Sequence, residues 1–211
     1  MKYEQVPRTG EYVDVRYYQA DRGSLFRTLW STAMWISAVF LSPLILVSRK
    51  SNVFFKACSE FLSLVPSIFG FVTRYAFYRF TLSDCGDNVI IDFGTVFYYR
   101  DISIGNNVSF GMGVIVHHCD FGDHAMIGDG CRLLPGTRKH RYDRSDIPIC
   151  QQGGQIKKIR IGSDCWIDAA CVVMDDVGDG SVIRAGSVVR EPVPPGSVCA
   201  GNPAEVVANR E

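Results

Sequence analysis

Apolar and polar residues divide this chain into two unlike halves. Between Thr28 and Ser48 no residue is charged, and a second apolar stretch runs from Phe61 to Thr73. From Cys85 onward, single large apolar residues alternate with short polar groups that contain Gly, Asn and Asp. A continuous apolar stretch is typical of a buried or membrane-associated helix, whereas a short fixed period is typical of repeated strands. We therefore predict a helical first part and a repetitive β-rich second part.

The first part is interpreted as an apolar helical hairpin over residues 28–80, preceded by a polar segment over residues 1–27. The charge-free stretch is long enough to cross a bilayer, but the second stretch is short and contains Pro66 and Gly70. Three interpretations stay open: one spanning helix, a helix pair in one membrane leaflet, or a hairpin packed on the rest of the protein or on a neighbouring subunit. Membrane association is favoured because basic residues suit lipid headgroups. These residues are Arg27, Arg49, Lys50, Arg74 and Arg79.

The second part carries a repeat in which an aliphatic or aromatic residue recurs about every six residues, the hexapeptide spacing of a β-solenoid. Each of these residues is expected to point inward, so that stacked coils bury a continuous apolar column. The predicted inward residues are Cys85, Ile91, Phe97, Ile104, Phe110, Val116, Phe121, Ile127, Leu133, Ile161, Ile167, Val173, Ile183 and Val189. The pattern predicts a mainly β solenoid domain over residues 81–192, followed by a C-terminal extension over residues 193–211.

The residues between these inward positions suit tight corners. Gly often follows the inward residue, as at Gly105 and Gly128, and Asn or Asp comes next, because these residues tolerate the backbone angles of a corner. Cys131, Cys165 and Cys171 share one position of the repeat, where a small apolar side chain is expected to fill space. We therefore expect free, structural thiols rather than disulfides or a metal-binding pair.

A long loop over residues 135–158 interrupts the repeat. Long loops on a rigid scaffold usually carry function. The loop contains His140, and an imidazole is suited to take a proton from a hydroxyl near neutral pH. Asp143 and Asp146 lie close by in sequence and are candidates for orienting that imidazole. Composition alone leaves open that His140 is a solvated loop residue without a chemical role.

Charge and composition exclude two classes of protein. The 211 residues include 22 Lys and Arg against 22 Asp and Glu, which gives a net charge of zero. A nucleic-acid-binding protein would show a basic excess, so no nucleic-acid partner is expected. A hydrophobic content of 47% excludes a disordered chain.

Several motifs together resemble those of the hexapeptide-repeat acyltransferases, in the order in which that family has them. The branch most resembled contains the galactoside, maltose and xenobiotic O-acetyltransferases. The apolar first part resembles the leaders of acetyltransferases that modify bacterial exopolysaccharide, capsule or lipopolysaccharide. The motifs are H-x-x-D-x-S-x-x-P from His140 to Pro148, I-G-x-x-x-W-I from Ile161 to Ile167, AGSVV at 185–189, VPPG at 193–196 and GNPA at 201–204.

The resemblance implies a left-handed parallel β-helix, a homotrimer, and acetyl-CoA bound as co-substrate in grooves between adjacent subunits. It implies that His140 is the catalytic general base, that transfer is direct without an acyl-enzyme, and that no metal takes part. It places Trp166 beside the groove, and makes His117, His118 and Trp166 candidates for binding the acceptor. The implied cofactor-binding positions are Ala169, Ala185, Gly186 and Ser187, with Arg190, Arg210, Lys157 and Lys158 as candidates for the phosphates of coenzyme A.

The chain also departs from the family pattern at three positions. Glu205 follows GNPA where the family often has Lys or Arg, Asp168 replaces the Gly after W-I, and Arg184 replaces the Gly before AGS. These departures concern the detailed shape of the cofactor groove rather than its location.

The expected activity is acetyl-CoA-dependent O-acetylation of a sugar hydroxyl on a glycan or lipid-linked saccharide, at the cytoplasmic face of a bacterial inner membrane. N-acetylation of an amino or nucleotide sugar would use the same base and groove and stays an alternative. A γ-type carbonic anhydrase has the same fold but binds zinc through three histidines, and the four histidines here include no evident trio. The non-enzymatic alternative is a membrane-tethered solenoid scaffold.

Overall fold

Four helices precede a parallel β-solenoid in this chain. The structure, a computed structural model, describes residues 24–210, with side chains described from residue 28 onward. Most of the predicted polar segment over residues 1–27 therefore lies outside the described residues. The helices are α1 (Ser24–Phe40), α2 (Ser42–Ser48), α3 (Asn52–Ser63) and α4 (Ser67–Thr81). The strands are β1 (Asp84–Cys85), β2 (Ile90–Ile91), β3 (Val96–Phe97), β4 (Ser103–Ile104), β5 (Ser109–Phe110), β6 (Ile115–Val116), β7 (Cys119–Phe121), β8 (Met126–Ile127), β9 (Arg132–Leu133), β10 (Ile159–Ile161), β11 (Trp166–Ile167), β12 (Val172–Val173), β13 (Val182–Ile183), β14 (Val188–Val189), β15 (Ser197–Ala200) and β16 (Glu205–Asn209).

The short strands stack into three parallel sheets, which are the three faces of the solenoid. The sheets contain four, seven and five strands, and from β1 to β12 successive strands along the chain belong to successive faces. All fourteen predicted inward residues are buried. On the five-stranded face, for example, Phe97, Val116, Leu133, Val173 and Val189 lie directly above one another. The predicted β-solenoid and its inner column are confirmed.

The acidic and glycine residues at the corners have a role that the repeat alone does not show. The Asp123 carboxylate accepts a hydrogen bond from the backbone N–H of Asn106 in the preceding coil (2.6 Å), and Asp129 does the same for Met112 (2.8 Å). Gly105 lies directly beneath this contact, where a Cβ atom would come within 2.5 Å of the Asp123 carboxylate. The corners are therefore linked from coil to coil as well as turned tightly.

The cysteines of the repeat are buried and free. The Cys131, Cys165 and Cys171 thiols each approach a backbone carbonyl oxygen in the following coil, at 3.0 to 3.1 Å. The hydrogen bond with the neighbouring Cys171 thiol, together with burial, raises the pKa of the Cys131 thiol. The structure thus gives these cysteines the structural role that the sequence predicts.

The apolar first part is not a hairpin: it forms four helices, and two of them cover the first coil of the solenoid. The ring of Tyr78 in α4 packs on Phe97 with 4.6 Å between the ring centres. The hydroxyl of Ser59 in α3 lies 2.7 Å from that of Tyr78 and accepts the Phe97 N–H (2.9 Å). The hairpin prediction was wrong because Pro66 and the polar turn after Ser48 divide the apolar sequence into shorter helices that pack on the solenoid.

Arg74 is the second correction in this region, because it was predicted to face lipid headgroups and is instead fully buried. Its guanidinium donates to three backbone carbonyl oxygens. These belong to Ile91 in the first coil (2.8 Å), Leu62 within α3 (3.1 Å) and Val65 just after α3 (2.7 Å). A buried cation is stable only where hydrogen bonds replace its water. Arg74 therefore joins α3, α4 and the solenoid in one polar contact.

The outer surface of the helices is strongly apolar. Phe40, Val53 and Phe69 are 82%, 77% and 74% exposed. Eleven further large apolar side chains of the helices are also exposed: Leu29, Trp35, Ile36, Val39, Leu44, Leu46, Val47, Phe54, Phe61, Leu64 and Ile68. Among the described residues, no single helix is long and apolar enough to cross a membrane, although Thr28–Phe40 and Ser42–Ser48 would reach that length together with a 68° bend between them.

The solenoid extends beyond the predicted boundary at residue 192. Val193 forms a bridge with Val177, and β15 pairs with β13 in the seven-stranded face, so both continue the coil pattern. The boundary was placed too early because Pro194 and Pro195 obscure the period at this point. Only β16 leaves the pattern, since it turns back and pairs antiparallel with β15.

Replacing Arg74 by Lys is expected to destabilise the whole chain. Lysine cannot reach all three carbonyl oxygens, and each buried acceptor left unpaired costs about 1–3 kcal/mol. We expect Arg74→Lys to lower the free energy of unfolding by about 2–4 kcal/mol, measured by chemical denaturation. The control is Arg79→Gln in the same helix, which removes a partly exposed ion pair with Asp87 (3.3 Å) and should cost less than about 1 kcal/mol. Equal losses in the two variants would contradict the assigned role of Arg74.

Candidate active site

The long loop after β9 folds back on itself as two arms, and His140 lies on the first arm. The backbone N–H of Arg141 donates to the carbonyl oxygen of Gly153 on the second arm (2.9 Å). Gly154 passes so close to the first arm that a Cβ atom would lie 1.8 Å from the Lys139 carbonyl oxygen. The tight contact between the arms fixes the backbone on which His140 is carried.

Two lysines attach the end of the loop to the solenoid. Lys157 forms ion pairs with Asp175 and Asp176, and Lys158 forms them with Asp120 (3.0 Å) and Asp101 (3.2 Å). Hydrogen bonds to these carboxylates raise the pKa of Lys157. Both ammonium groups were candidates for binding the phosphates of coenzyme A, but the structure engages them within the protein.

The side chain of His140 opens into a groove of about 610 Å³. We call it the His140 groove; its lining residues are Thr137, Arg138, His140, Arg141, Tyr142, Asp143, Gln155 and Arg190. Arg190 follows β14, so the fold brings it beside a loop that lies far away in sequence. Arg210, in contrast, forms an ion pair with Asp164 (2.9 Å) away from this groove. Among the four basic candidates, Arg190 alone makes no ion pair with a residue of the described range.

The two acidic candidates for orienting His140 are held by arginines instead. Arg141 donates to both oxygens of the Asp143 carboxylate (3.1 and 2.8 Å), and Arg144 pairs in the same way with Asp146. These hydrogen bonds lower the pKa of both carboxyl groups. Their role in orienting His140 stays a prediction, since within the described residues the His140 side chain makes no hydrogen bond.

His117 is a buried, neutral imidazole. Its ring stacks on Tyr98 with 4.3 Å between the ring centres, and its Nδ1 is buried without a hydrogen-bond partner in the described part of the chain. Burial, together with the nearby Lys139, His118 and Lys56, lowers the pKa of His117 to about 4. The ring is therefore uncharged at neutral pH and close to the arm that carries His140.

His118 faces a different groove from His140. Its ring contacts that of Tyr99 with 4.0 Å between the centres, and it lines a groove between the helices and the solenoid. Burial lowers the pKa of His118 as well. The two neighbouring histidines thus do not form one acceptor pocket, although they belong to one corner.

The predicted site residues divide between two edges of the solenoid. His117, the His140 loop and Arg190 follow β6, β9 and β14 of the five-stranded face. Ala169 and Ala185 follow β11 and β13 of the seven-stranded face, on which Trp166 is 45% exposed. A single chain therefore does not bring the predicted cofactor-binding alanines to His140.

The main-chain groups near these alanines differ in whether they are free to hydrogen-bond a ligand. The N–H of Ala169 donates to the Asp168 carboxylate (2.7 Å), and its carbonyl oxygen accepts from Gly186 N–H (2.9 Å). Ser187 is buried and donates its hydroxyl to the Arg184 carbonyl oxygen (2.5 Å). Ala185 is exposed, and its main chain has no hydrogen-bond partner among residues 24–210. Ala185 is thus the position best able to bind an external amide.

Several residues of the His140 groove were not singled out from the sequence. Arg138 and Arg141 flank His140 within the basic run TRKHR, which was a visible signal of an anion-binding surface. Tyr142 and Gln155 had no such signal, because their place depends on the pairing of the loop arms. Within residues 24–210, no group of three or more His, Cys, Asp or Glu side chains is placed to hold a metal ion.

Comparison with known proteins agrees with this architecture. The family profile described as bacterial transferase hexapeptide (six repeats) matches residues 158–191, which include β10 to β14. A probable macrolide acetyltransferase of Lysinibacillus sphaericus is 32% identical over 119 residues, which are 46% of this chain and 66% of that protein. Over its solenoid, the chain is thus similar to hexapeptide-repeat acetyltransferases. It spans between 38% and 66% of the length of the curated relatives that it matches.

Solved structures of this family share the fold. A hexapeptide-repeat acetyltransferase of Vibrio cholerae superimposes with a TM-score of 0.65 and 24% identity, over 79% of this chain and 93% of that one. A galactoside acetyltransferase in complex with coenzyme A superimposes with a TM-score of 0.61 and 23% identity, over 84% of this chain and 82% of that one. Both likenesses concern the course of the backbone.

The lowered pKa of His117 predicts loss of stability in acid. An unfolded histidine has a pKa of about 6.5, so between about pH 6.5 and 4 the unfolded chain takes up a proton that the folded chain excludes. The free energy of unfolding should therefore fall as the pH is lowered through this range, by up to about 3 kcal/mol from this residue. His117→Phe keeps a ring on Tyr98 and removes the titration. Chemical denaturation across this pH range should show a smaller slope for the variant, and equal slopes would contradict the assignment.

Proposed function

We propose that this protein is an acetyl-CoA-dependent O-acetyltransferase that modifies a sugar hydroxyl. The observation that carries the proposal is the His140 groove, in which an accessible imidazole and an unpaired guanidinium lie together. Similarity to acetyltransferases supports transfer of an acetyl group, and the shared fold of a galactoside acetyltransferase in complex with coenzyme A supports a sugar acceptor. The acceptor is a glycan or lipid-linked saccharide.

His140 acts as the general base in this proposal. Its ring takes the proton of the acceptor hydroxyl while that oxygen attacks the thioester carbonyl carbon. The carbon–sulfur bond then breaks, and the proton passes from the imidazolium to the departing thiolate sulfur. One histidine therefore both takes up and returns the proton, and no covalent enzyme intermediate is needed. None of the buried cysteines is needed as a nucleophile.

The charges of the His140 groove fit a phosphate-bearing co-substrate. Arg190 and Arg138 line the groove, and neither makes an ion pair within residues 24–210. Guanidinium groups bind phosphates through paired hydrogen bonds, so these two residues would hold the phosphates of coenzyme A. Arg141 is less available because Asp143 already neutralises it.

The environment of His117 suits a sugar on the acceptor side. A neutral imidazole can accept a hydrogen bond from a hydroxyl, whereas a cationic one cannot. The aromatic rings of Tyr98 and Tyr99 lie at the same corner and offer apolar faces. His117 would therefore orient the acceptor, while the more accessible His140 accepts its proton.

A homotrimer would complete the site. His140 and Arg190 lie on one edge of the solenoid, and Ala185, with its free main-chain groups, lies on another. In a cyclic trimer each contact joins unlike edges of two copies, so the Ala185 edge of one subunit would meet the His140 edge of the next. The proposed groove for acetyl-CoA then has one wall from each copy.

We place the protein at the cytoplasmic face of a bacterial inner membrane. The apolar outer surface of the helices supports this location, because exposed apolar area on this scale marks a surface that binds lipid or another protein. Helices α1 and α2 would lie in one leaflet, while the solenoid stays in water with its substrate.

Removing the base should abolish turnover without unfolding the protein. We expect His140→Ala and His140→Asn to lower acetyl-CoA-dependent release of coenzyme A by about 10²–10⁴-fold with a saccharide acceptor. His124→Asn is the matched control, because His124 is a corner histidine with φ of 62°, which asparagine also tolerates. Turnover that is unaffected in the His140 variants would favour a scaffold. Transfer to amino sugars but not to hydroxyl sugars would favour N-acetylation.

Mixed oligomers test whether two subunits share one site. His140→Ala removes the base from one edge, and Ala185→Trp blocks the other edge. Each variant alone should be inactive, whereas co-expressed chains should regain about one quarter of the wild-type activity, since about one quarter of the contacts then join two intact edges. No recovery in mixed oligomers of confirmed composition would show that each chain contains a whole site.

A further inference from the structure

A second groove lies where the helices meet the first coils of the solenoid. Its volume is about 500 Å³, and it receives residues from the α2–α3 turn, the end of α4 and two corners of the solenoid. We call it the helix–solenoid groove; its lining residues include Arg49, Asn52, Arg100, Asp101 and His118. It is separate from the His140 groove, with which it shares no lining residue.

One arginine of this groove is held in place by the protein. Arg100 donates from Nη1 to the Arg49 carbonyl oxygen (2.5 Å) and from Nε to the Asn52 side-chain oxygen (3.1 Å). These bonds connect the corner after β3 to the turn between α2 and α3. They use Nε and Nη1 and leave Nη2 without a partner in the described structure. Arg100 is thus oriented by neutral acceptors and keeps its full positive charge.

The net charge of the helix–solenoid groove is positive. The Arg49 guanidinium makes no ion pair with any residue of the described range. Asp101 is the carboxylate of the groove, and Lys158 pairs with it (3.2 Å). His118 is uncharged at neutral pH because burial lowers its pKa. Two guanidinium groups therefore remain for an external anion, and guanidinium groups are well suited to phosphate.

The groove opens next to the apolar surface of the helices. Arg49 directly follows α2, in which Leu44, Leu46 and Val47 are exposed. A ligand that occupies both surfaces must combine an anionic group with a long apolar chain. Lipids with a phosphate headgroup have this combination, and soluble phosphates lack the apolar part.

We propose that the helix–solenoid groove binds the headgroup of an anionic phospholipid, such as phosphatidylglycerol, whose apolar chains lie along α1 and α2. The proposal deepens the proposed membrane location and rests on it. It also selects among acceptors: His117 and His118 share one corner, so a saccharide carried on that phosphate would extend along the same edge of the solenoid toward His140. A lipid-linked saccharide is therefore the acceptor class that the two grooves favour together.

Vesicle binding by the full chain tests this site. The probes are vesicles of phosphatidylglycerol and phosphatidylcholine in equal parts, compared with vesicles of phosphatidylcholine alone. Arg49→Gln and Lys50→Gln each remove one positive charge from neighbouring exposed positions, but only Arg49 lines the groove. Loss of surface charge alone weakens binding about five-fold for each variant. We expect Arg49→Gln to weaken binding to the anionic vesicles about ten-fold more than Lys50→Gln does.

A second variant keeps the charge and removes the planar donor group. Arg100→Lys should weaken binding to the anionic vesicles by about ten-fold while binding to phosphatidylcholine stays unchanged. Thermal unfolding of each variant shows whether the turn between α2 and α3 is intact. Equal effects of Arg49→Gln and Lys50→Gln would overturn the proposal, because they would indicate general surface attraction. Glycerol 3-phosphate that binds as tightly as the vesicles would also overturn it, since the ligand would then be a soluble phosphate.

The result can be separated from that of the proposed enzyme activity. Release of coenzyme A with a soluble saccharide acceptor is measured on the same preparations. The expected vesicle pattern without any transferase activity would support the lipid site and contradict the O-acetyltransferase function. Transferase activity without that vesicle pattern would overturn the lipid site alone.

Discussion

The first coil of a solenoid has no preceding coil to cover its inner side chains and its unpaired backbone groups, and the rest of this structure depends on how the helices meet that need. Tyr78 covers the ring of Phe97, Ser59 accepts the Phe97 N–H, and Arg74 donates to the Ile91 carbonyl oxygen. The apolar helices are therefore part of the fold as well as a surface. Their inner faces complete the solenoid, and only their outer faces stay exposed.

The inner column of the solenoid could be predicted from sequence because its cause is local. Each inward residue and its corner are set by a few neighbouring residues, and the stacking register then follows from the repeat. Arg74 could not be predicted in the same way. It looks like a headgroup-facing residue among aromatic neighbours, and its actual partners come from three separate parts of the chain. The number of helices was missed for a related reason, since the packing that stabilises short helices is tertiary.

The candidate site shows the same division. His140 could be found from its residue type and from the loop that carries it, and Arg190 was singled out by its charge. Their common groove depends on the return of the chain to the same edge two coils later, which the repeat allows but does not specify. The separation of His140 from Ala185 was not visible in the sequence either, because motifs that follow one another along a repeat can lie on different faces. Arg138 and Arg141 were present in the basic run around His140, but only the folded loop shows that Asp143 engages one of them.

Strand β16 closes the opposite end of the molecule. A further coil would have to pair in parallel with β15. That edge of β15 is already occupied by β16, which pairs with it antiparallel. Proteins commonly protect an open sheet edge in this way from pairing with other chains. With helices on the first coil and a reversed strand beside the last, end-to-end polymerisation into a fibre is disfavoured at both ends. Self-association is therefore favoured through the side faces of the solenoid, which leads to a finite assembly rather than an endless fibre.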